Sequence, residues 1–153
     1  MYANVETVVL GVKNWLEANL QSYVDLATAD GQSEGYLPPE LKKVAVRASI
    51  PETGPFPFLA INQDTITSEP AAQGTQAIKV QMLAMLALNE QKPEKLAVAL
   101  MRYTDAFIKA IGEHYTLDGL VDELKIERIS KDELDGKGFL VVELAAKIET
   151  IDE

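Results

Sequence analysis

The sequence predicts an α+β fold: a mixed or antiparallel sheet of about four to five strands with two main helices packed on it, in the order α-β-β(-β)-α-β-β. Three observations carry this. Two long segments repeat apolar residues at helical spacing, others alternate apolar and polar residues, and Gly-, Pro- and Asp-Gly-bearing stretches separate them. At 153 residues, 47% hydrophobic and 25% charged, the chain has the size and composition of one ordinary domain, so residues 1–153 are read as one unit.

The first helix is expected from about Val5 to Ala27. Val5, Val8, Val9, Val12, Trp15, Leu16, Leu20, Tyr23 and Val24 recur on one side, and Asn4 has the side chain of an N-cap. The stretch DGQSEGYLPPE then reads as a loop. Lys42–Ile50 suggests a short strand with Val44 and Val46 on one side. Pro38, Pro39, Pro51, Pro55 and Pro57 exclude a helix in this region. Phe58–Asn62 reads as a strand, and Asp64–Gly74, DTITSEPAAQG, as a polar loop excursion that is mobile or ordered by a partner.

AIKVQMLAMLAL, Ala77–Leu88, is made of helix formers, yet its period is that of a strand. Ile78, Val80, Met82, Ala84, Leu86 and Leu88 are all apolar, while the intervening positions begin polar with Lys79 and Gln81 and turn apolar at Leu83, Met85 and Ala87. Such a strand has two apolar faces over its second half. One takes the core; the other needs a cover, either the first helix or a neighbouring subunit. Pro93 and Glu94 suit the first turn of a second helix, Pro93–Glu113, with Leu96, Leu100, Tyr103, Phe107 and Ile111 as its stripe. Leu124, Ile126 and the less regular Ile129 suggest a strand. Leu140, Val142, Leu144, Ala146 and Ile148 mark another, and Asp135-Gly136 joins the two as a hairpin.

Residues that carry chemistry are sparse. With no cysteine there is no disulfide, thiolate metal site or cysteine nucleophile. The single histidine, His114, follows the second helix, and no GxSxG nucleophile motif accompanies it; a helix-end surface role is expected. Asp132, Glu133 and Asp135 lack the spacing of a calcium loop and read as a solvated turn. No glycine pattern forms a phosphate cradle, and nothing selects Glu143 and Glu149 as a catalytic pair. The expectation is a non-enzymatic protein with no catalytic, cofactor or metal residues. The net charge is −10, with 13 acids against 7 bases in residues 101–153. An acidic surface disfavours sequence-independent nucleic-acid binding. No apolar run is long enough to span a bilayer, and MYANVETVVLGVKN has no signal-peptide pattern, so no membrane partner is expected.

The element order, with Leu100-Met101-Arg102-Tyr103-Thr104-Asp105-Ala106-Phe107 in the second helix and GFLVVELAAKIET as the final strand, resembles the tail terminator and tail-completion (neck) proteins of tailed bacteriophages. The resemblance covers most of the chain in order and length. It implies a structural virion protein, assembled in the host cytoplasm, that forms a homo-oligomeric ring, typically a hexamer. The ring caps the tail tube and joins it to head and neck proteins, and genome DNA passes the lumen without specific binding. Lys79, Gln81, Leu83 and Met85 on the middle strand, with Asp64, Thr65 and Ile66 on the excursion, are the expected subunit-interface residues. The alternatives are another head–tail connector or neck component, or a small cellular non-enzymatic binding or assembly module.

Overall fold

Asn4 starts the first helix. Its Oδ1 accepts the backbone N–H of Thr7 at 2.8 Å, satisfying one of the donors that a helix N-terminus leaves open. The helix, α1, runs Val5–Asp30, about a turn beyond the expected end. Val8, Val9, Val12, Leu16, Leu20 and Val24 form its buried stripe. The computed structural model describes residues 4–31, 36–70 and 75–151. Residues 32–35 of the first loop and 71–74 of the expected excursion lie outside the described residues.

Five strands and a second helix follow: β1 Lys43–Val46, β2 Phe58–Pro70, β3 Thr75–Asn89, α2 Pro93–Glu113, β4 Glu123–Leu134 and β5 Lys137–Ile151. The sheet order is β1-β2-β3-β5-β4. β1 runs parallel to β2 and every other neighbouring pair is antiparallel, so the fold is α+β with a mixed sheet. Residues 47–57 carry the chain back to the end from which β1 started, as a parallel pair requires. The Pro57 carbonyl accepts from Lys42 N–H at 3.0 Å, and the Ile61 carbonyl accepts from Arg47 N–H at 3.0 Å, which pins the short edge strand at both ends.

Ala77–Leu88 is strand, lying at the centre of the sheet between β2 and β5. Val80, Met82, Ala84, Leu86 and Leu88 join the core shared with both helices. α1 packs on α2, β1 and β2, and α2 packs on β4 and β5. Both helices thus occupy the same face of the sheet, and α1 does not cover the second apolar face of β3. The reason is their shared stripe: Leu16 and Leu20 of α1 and Tyr103 and Phe107 of α2 belong to one core with β3, which commits the main apolar stripe of α1 to this side of the sheet. Among the described residues no helix is long and apolar enough to cross a membrane.

Asp64–Pro70 is not a loop. It continues β2, and Ile66–Pro70 pair residue by residue with Val80–Gln76. Asp64, Thr65 and Ile66 therefore sit on a strand. Between the pairs Gln63–Met82 and Ile66–Val80, Asp64 and Thr65 stand against the single residue Gln81, which is the geometry of a β-bulge. This arm is held by its backbone ladder rather than by buried side chains: residues 63–68 are all exposed.

The Asp135-Gly136 turn has φ of 45° and 80°, the two positive values that a two-residue hairpin of this hand requires. Close by, α2 lies almost on the backbone of β5. A Cβ on Gly138 would stand 2.7 Å from a Leu96 methyl and 3.1 Å from a Leu100 methyl. In α2 the Arg102-Tyr103 pair points inward. The Tyr103 hydroxyl donates to the Pro39 carbonyl at 2.6 Å, and the buried Arg102 guanidinium lies 6.0 Å from the Tyr36 ring centre and donates to the Tyr36 carbonyl at 3.5 Å. These residues tie the proline-bearing segment before β1 to α2.

Candidate interaction surface

With both helices on one side, the other face of the sheet is bare of helix. Its side chains fall into rows across β2, β3, β5 and β4. At the Asp135-Gly136 end the row is Phe58, Ala87, Phe139, Asp132; the next is Ala60, Met85, Val141, Ser130; then Asn62, Leu83, Glu143, Arg128. Beyond the two bulges come Gln81, Ala145 and Lys125, then Thr67, Lys79, Lys147 and Glu123. The face thus grades from apolar at the turn end to charged at the arm end. Phe58, Ala60, Ala87 and Ala145 are buried, whereas Leu83, Met85, Phe139 and Val141 remain half-buried, with no helix above them.

The expected interface residues divide in this setting. Leu83 and Met85 stand together in the middle of the bare face. Lys79 and Gln81 do not simply face outward. Glu127 accepts from Gln81 Nε2 at 2.8 Å and from Lys79 Nζ at 3.0 Å, reaching from β4 across β5 to β3. Ala145 lies in the intervening strand, and its small side chain leaves room for the bridge. Glu127 is the extra residue of a bulge, placed between the Ile126–Leu144 and Arg128–Glu143 pairs. The same bulge shifts the alternation of β4 by one residue, which is why Ile126 and Ile129, of opposite parity in the sequence, both pack against the core. Asp64, Thr65 and Ile66 lie exposed at the other bulge.

The Gln81 amide, followed by the Lys79 ammonium, holds the Glu127 carboxyl below its ordinary value. A carboxylate with a depressed folded-state pKa stabilises the fold above the unfolded-state value and loses that contribution as pH falls through the folded one. The bridge is therefore intact at neutral pH and is lost as pH falls through this lowered value. An NMR titration of the Glu127 side chain is expected to show a midpoint below that of a free glutamate, and Gln81→Ala is expected to move it upward. A wild-type midpoint at the free value contradicts the bridge.

The second surface feature flanks α2. Met101 and Ile108 are exposed two helical turns apart on α2 and Tyr115 is exposed in the turn that follows it, and Ile108 and Tyr115 with Ile126 and Ile129 of edge strand β4 line a groove of about 690 Å³.

The remaining candidates from the sequence have structural surroundings. His114 caps the C-terminus of α2, its ring 5.3 Å from that of Trp15 and 6.1 Å from that of Tyr23. Asp132, Glu133 and Asp135 are exposed around the hairpin turn, and no three His, Asp or Glu side chains among the described residues are grouped to hold a metal ion. No family model matches the chain, and no curated protein matches it.

Proposed function

We propose that the chain is a self-assembling structural subunit without enzymatic activity, and that its assembly is the ring that caps a phage tail tube and joins the tail to the head or neck. The observation that carries the self-assembly is the bare sheet face, where Leu83, Met85, Phe139 and Val141 form a half-buried apolar surface with no helix over it. A contiguous apolar patch with a charged margin is the usual make-up of a protein contact surface. The second half of β2 supports the same reading, since residues 63–68 extend the sheet with a run of exposed side chains. The tail-terminator assignment itself rests on the resemblance of element order and of the Leu100–Phe107 helix. Size-exclusion chromatography with light scattering, followed by electron microscopy, tests it. Discrete rings that bind the open end of tail tubes are expected; a strict monomer at the highest soluble concentration, forming no ring when tail tubes are added, refutes it.

A second reading, a small binding module, is favoured by the apolar groove between α2 and β4, which has room for an apolar segment of another protein. It requires a monomer whose Ile108 and Tyr115 change environment when the partner binds.

A further inference from the structure

At the arm end of the bare face the sheet places like charges opposite each other. Lys79 of β3 and Lys147 of β5 are direct cross-strand partners, and Lys125 stands one row away, opposite Ala145. With Thr67, Ala145 and Glu123 they line a cavity of about 370 Å³. Like charges in directly opposed positions destabilise an antiparallel pair. Folds carry such local conflicts where a site needs them. Glu127 answers Lys79 at 3.0 Å, and Glu123 stands opposite Lys147 on β4, but neither Lys125 nor Lys147 forms a salt bridge among the described residues. A cavity lined by three lysines and one glutamate is thus set into a chain whose net charge is −10.

The complementary feature lies on the same molecule. At the β4–β5 turn Leu134 projects, 63% exposed, among Asp132, Glu133 and Asp135. Asp132 accepts from the Glu133 backbone N–H at 3.0 Å, and Glu133 reaches Lys131 at 3.5 Å, so the turn is a small ordered knob with an apolar tip and an acidic collar. The knob and the cavity occupy opposite ends of β5, whose residues Lys137 and Lys147 are roughly 30 Å apart at strand rise. The turn cannot reach the cavity of its own chain.

We infer that the lysine-lined cavity is a carboxylate-binding site, and that its occupant is the Asp132–Asp135 turn of a second copy of the chain. The inference rests on the self-assembly proposed above and adds a charged contact at the margin of its apolar face. Lys125 and Lys147 take the collar carboxylates, and Leu134 lies over Ala145 and Ala77. Because donor and acceptor are different patches, the contact runs head to tail, which generates a ring when the rotation closes and a filament when it does not.

Charge reversal tests this. Lys125→Glu/Lys147→Glu alters the cavity and leaves the Lys79–Glu127 bridge in place. Asp132→Lys/Glu133→Lys alters the knob and leaves Asp135 and Gly136 in their turn. Each variant, shown by circular dichroism and thermal unfolding to be folded, is expected to self-associate at least about tenfold more weakly than wild type. An equimolar mixture is expected to recover assembly, because each reversed patch then meets its complement on the other variant. Wild-type association is also expected to weaken between about 50 and about 500 mM salt. If wild type assembles and either folded variant assembles equally well, or the mixture recovers nothing, the contact is wrong while self-assembly stands. A wild-type protein that never assembles overturns both.

Discussion

Tyr103→Ala is expected to lower stability by about 3–5 kcal/mol, the range for emptying a buried aromatic site. Tyr103 has no exposed surface, packs among α1, α2 and the sheet, and donates its hydroxyl to the Pro39 carbonyl at 2.6 Å. Burial, with added push from Asp25 and Glu40, raises the phenol's pKa far above its ordinary value, so the proton needed for this bond is present throughout the working pH range. Two losses combine in the alanine variant: the cavity left by the ring and the release of the Tyr36–Pro39 segment that leads into β1. Tyr103→Phe separates them. It keeps the ring and removes only the bond, and is expected to cost about 1 kcal/mol, since Pro39 is partly open to water. Denaturant unfolding checks both, with the midpoint shifted and the slope unchanged in each case. An alanine variant as stable as the phenylalanine one contradicts the packing role of the ring.

The double variant Leu83→Lys/Met85→Lys is expected to weaken self-association by about 100-fold or more while leaving the fold nearly intact. Both side chains stand half-buried on the helix-free face, with Glu143 opposite Leu83 and Val141 opposite Met85. In the free chain a lysine at either position lays its methylenes over the apolar surface and keeps its ammonium in water. In an assembly that covers this face, the lysine at 85 is buried opposite Val141 with no carboxylate partner, at a cost of about 3–5 kcal/mol for an uncompensated charge, while the lysine at 83 has Glu143 opposite it and adds less. Each 1.4 kcal/mol is a factor of about ten in affinity. Sedimentation velocity against protein concentration, paired with thermal unfolding, reads the two effects separately. Unchanged association with normal stability removes this face from the contact.

The resemblance carried by Leu100–Phe107 takes on a physical meaning in the fold. Leu100, Tyr103, Ala106 and Phe107 are buried, and Arg102 and Tyr103 hold the Tyr36–Pro39 segment. These residues specify how α2 meets the sheet and the entry to β1; they do not form a contact surface. The surfaces proposed above for contact lie elsewhere, on the bare face and the hairpin turn.

Several elements were readable because their causes are local. α2 begins at Pro93, whose fixed φ suits a first turn, and its stripe repeats without interruption to Glu113. The final hairpin follows from Asp135-Gly136 and a clean alternation on β5. The central strand followed from its period in spite of its helix-forming composition, because burial on one face outweighs the small intrinsic propensities. Asp64–Pro70 was not readable as strand. Residues 64–68 are mostly polar and all exposed, and what orders the segment is a backbone ladder to residues on the next strand. Ile129 looked irregular because the Glu127 bulge resets the alternation, and a bulge leaves no mark in composition.

The candidate surface divides along the same line. The change on β3 from Lys79 and Gln81 to Leu83 and Met85 is written in the sequence, and it foretold a second apolar face. That both helices share the other side of the sheet, leaving this face bare, depends on how two amphipathic stripes bury each other, which no window of sequence contains. The bridge from Glu127 over Ala145 to Gln81 and Lys79, and the opposition of Lys79 to Lys147, are consequences of register between strands distant in the chain. The sequence by itself determined the kinds of element, their order and which faces are apolar, because periodicity and turn chemistry act within a few residues. Only the tertiary structure decided which apolar face stays uncovered and which charges are brought together, because strand register and layer packing are set by contacts across the whole chain.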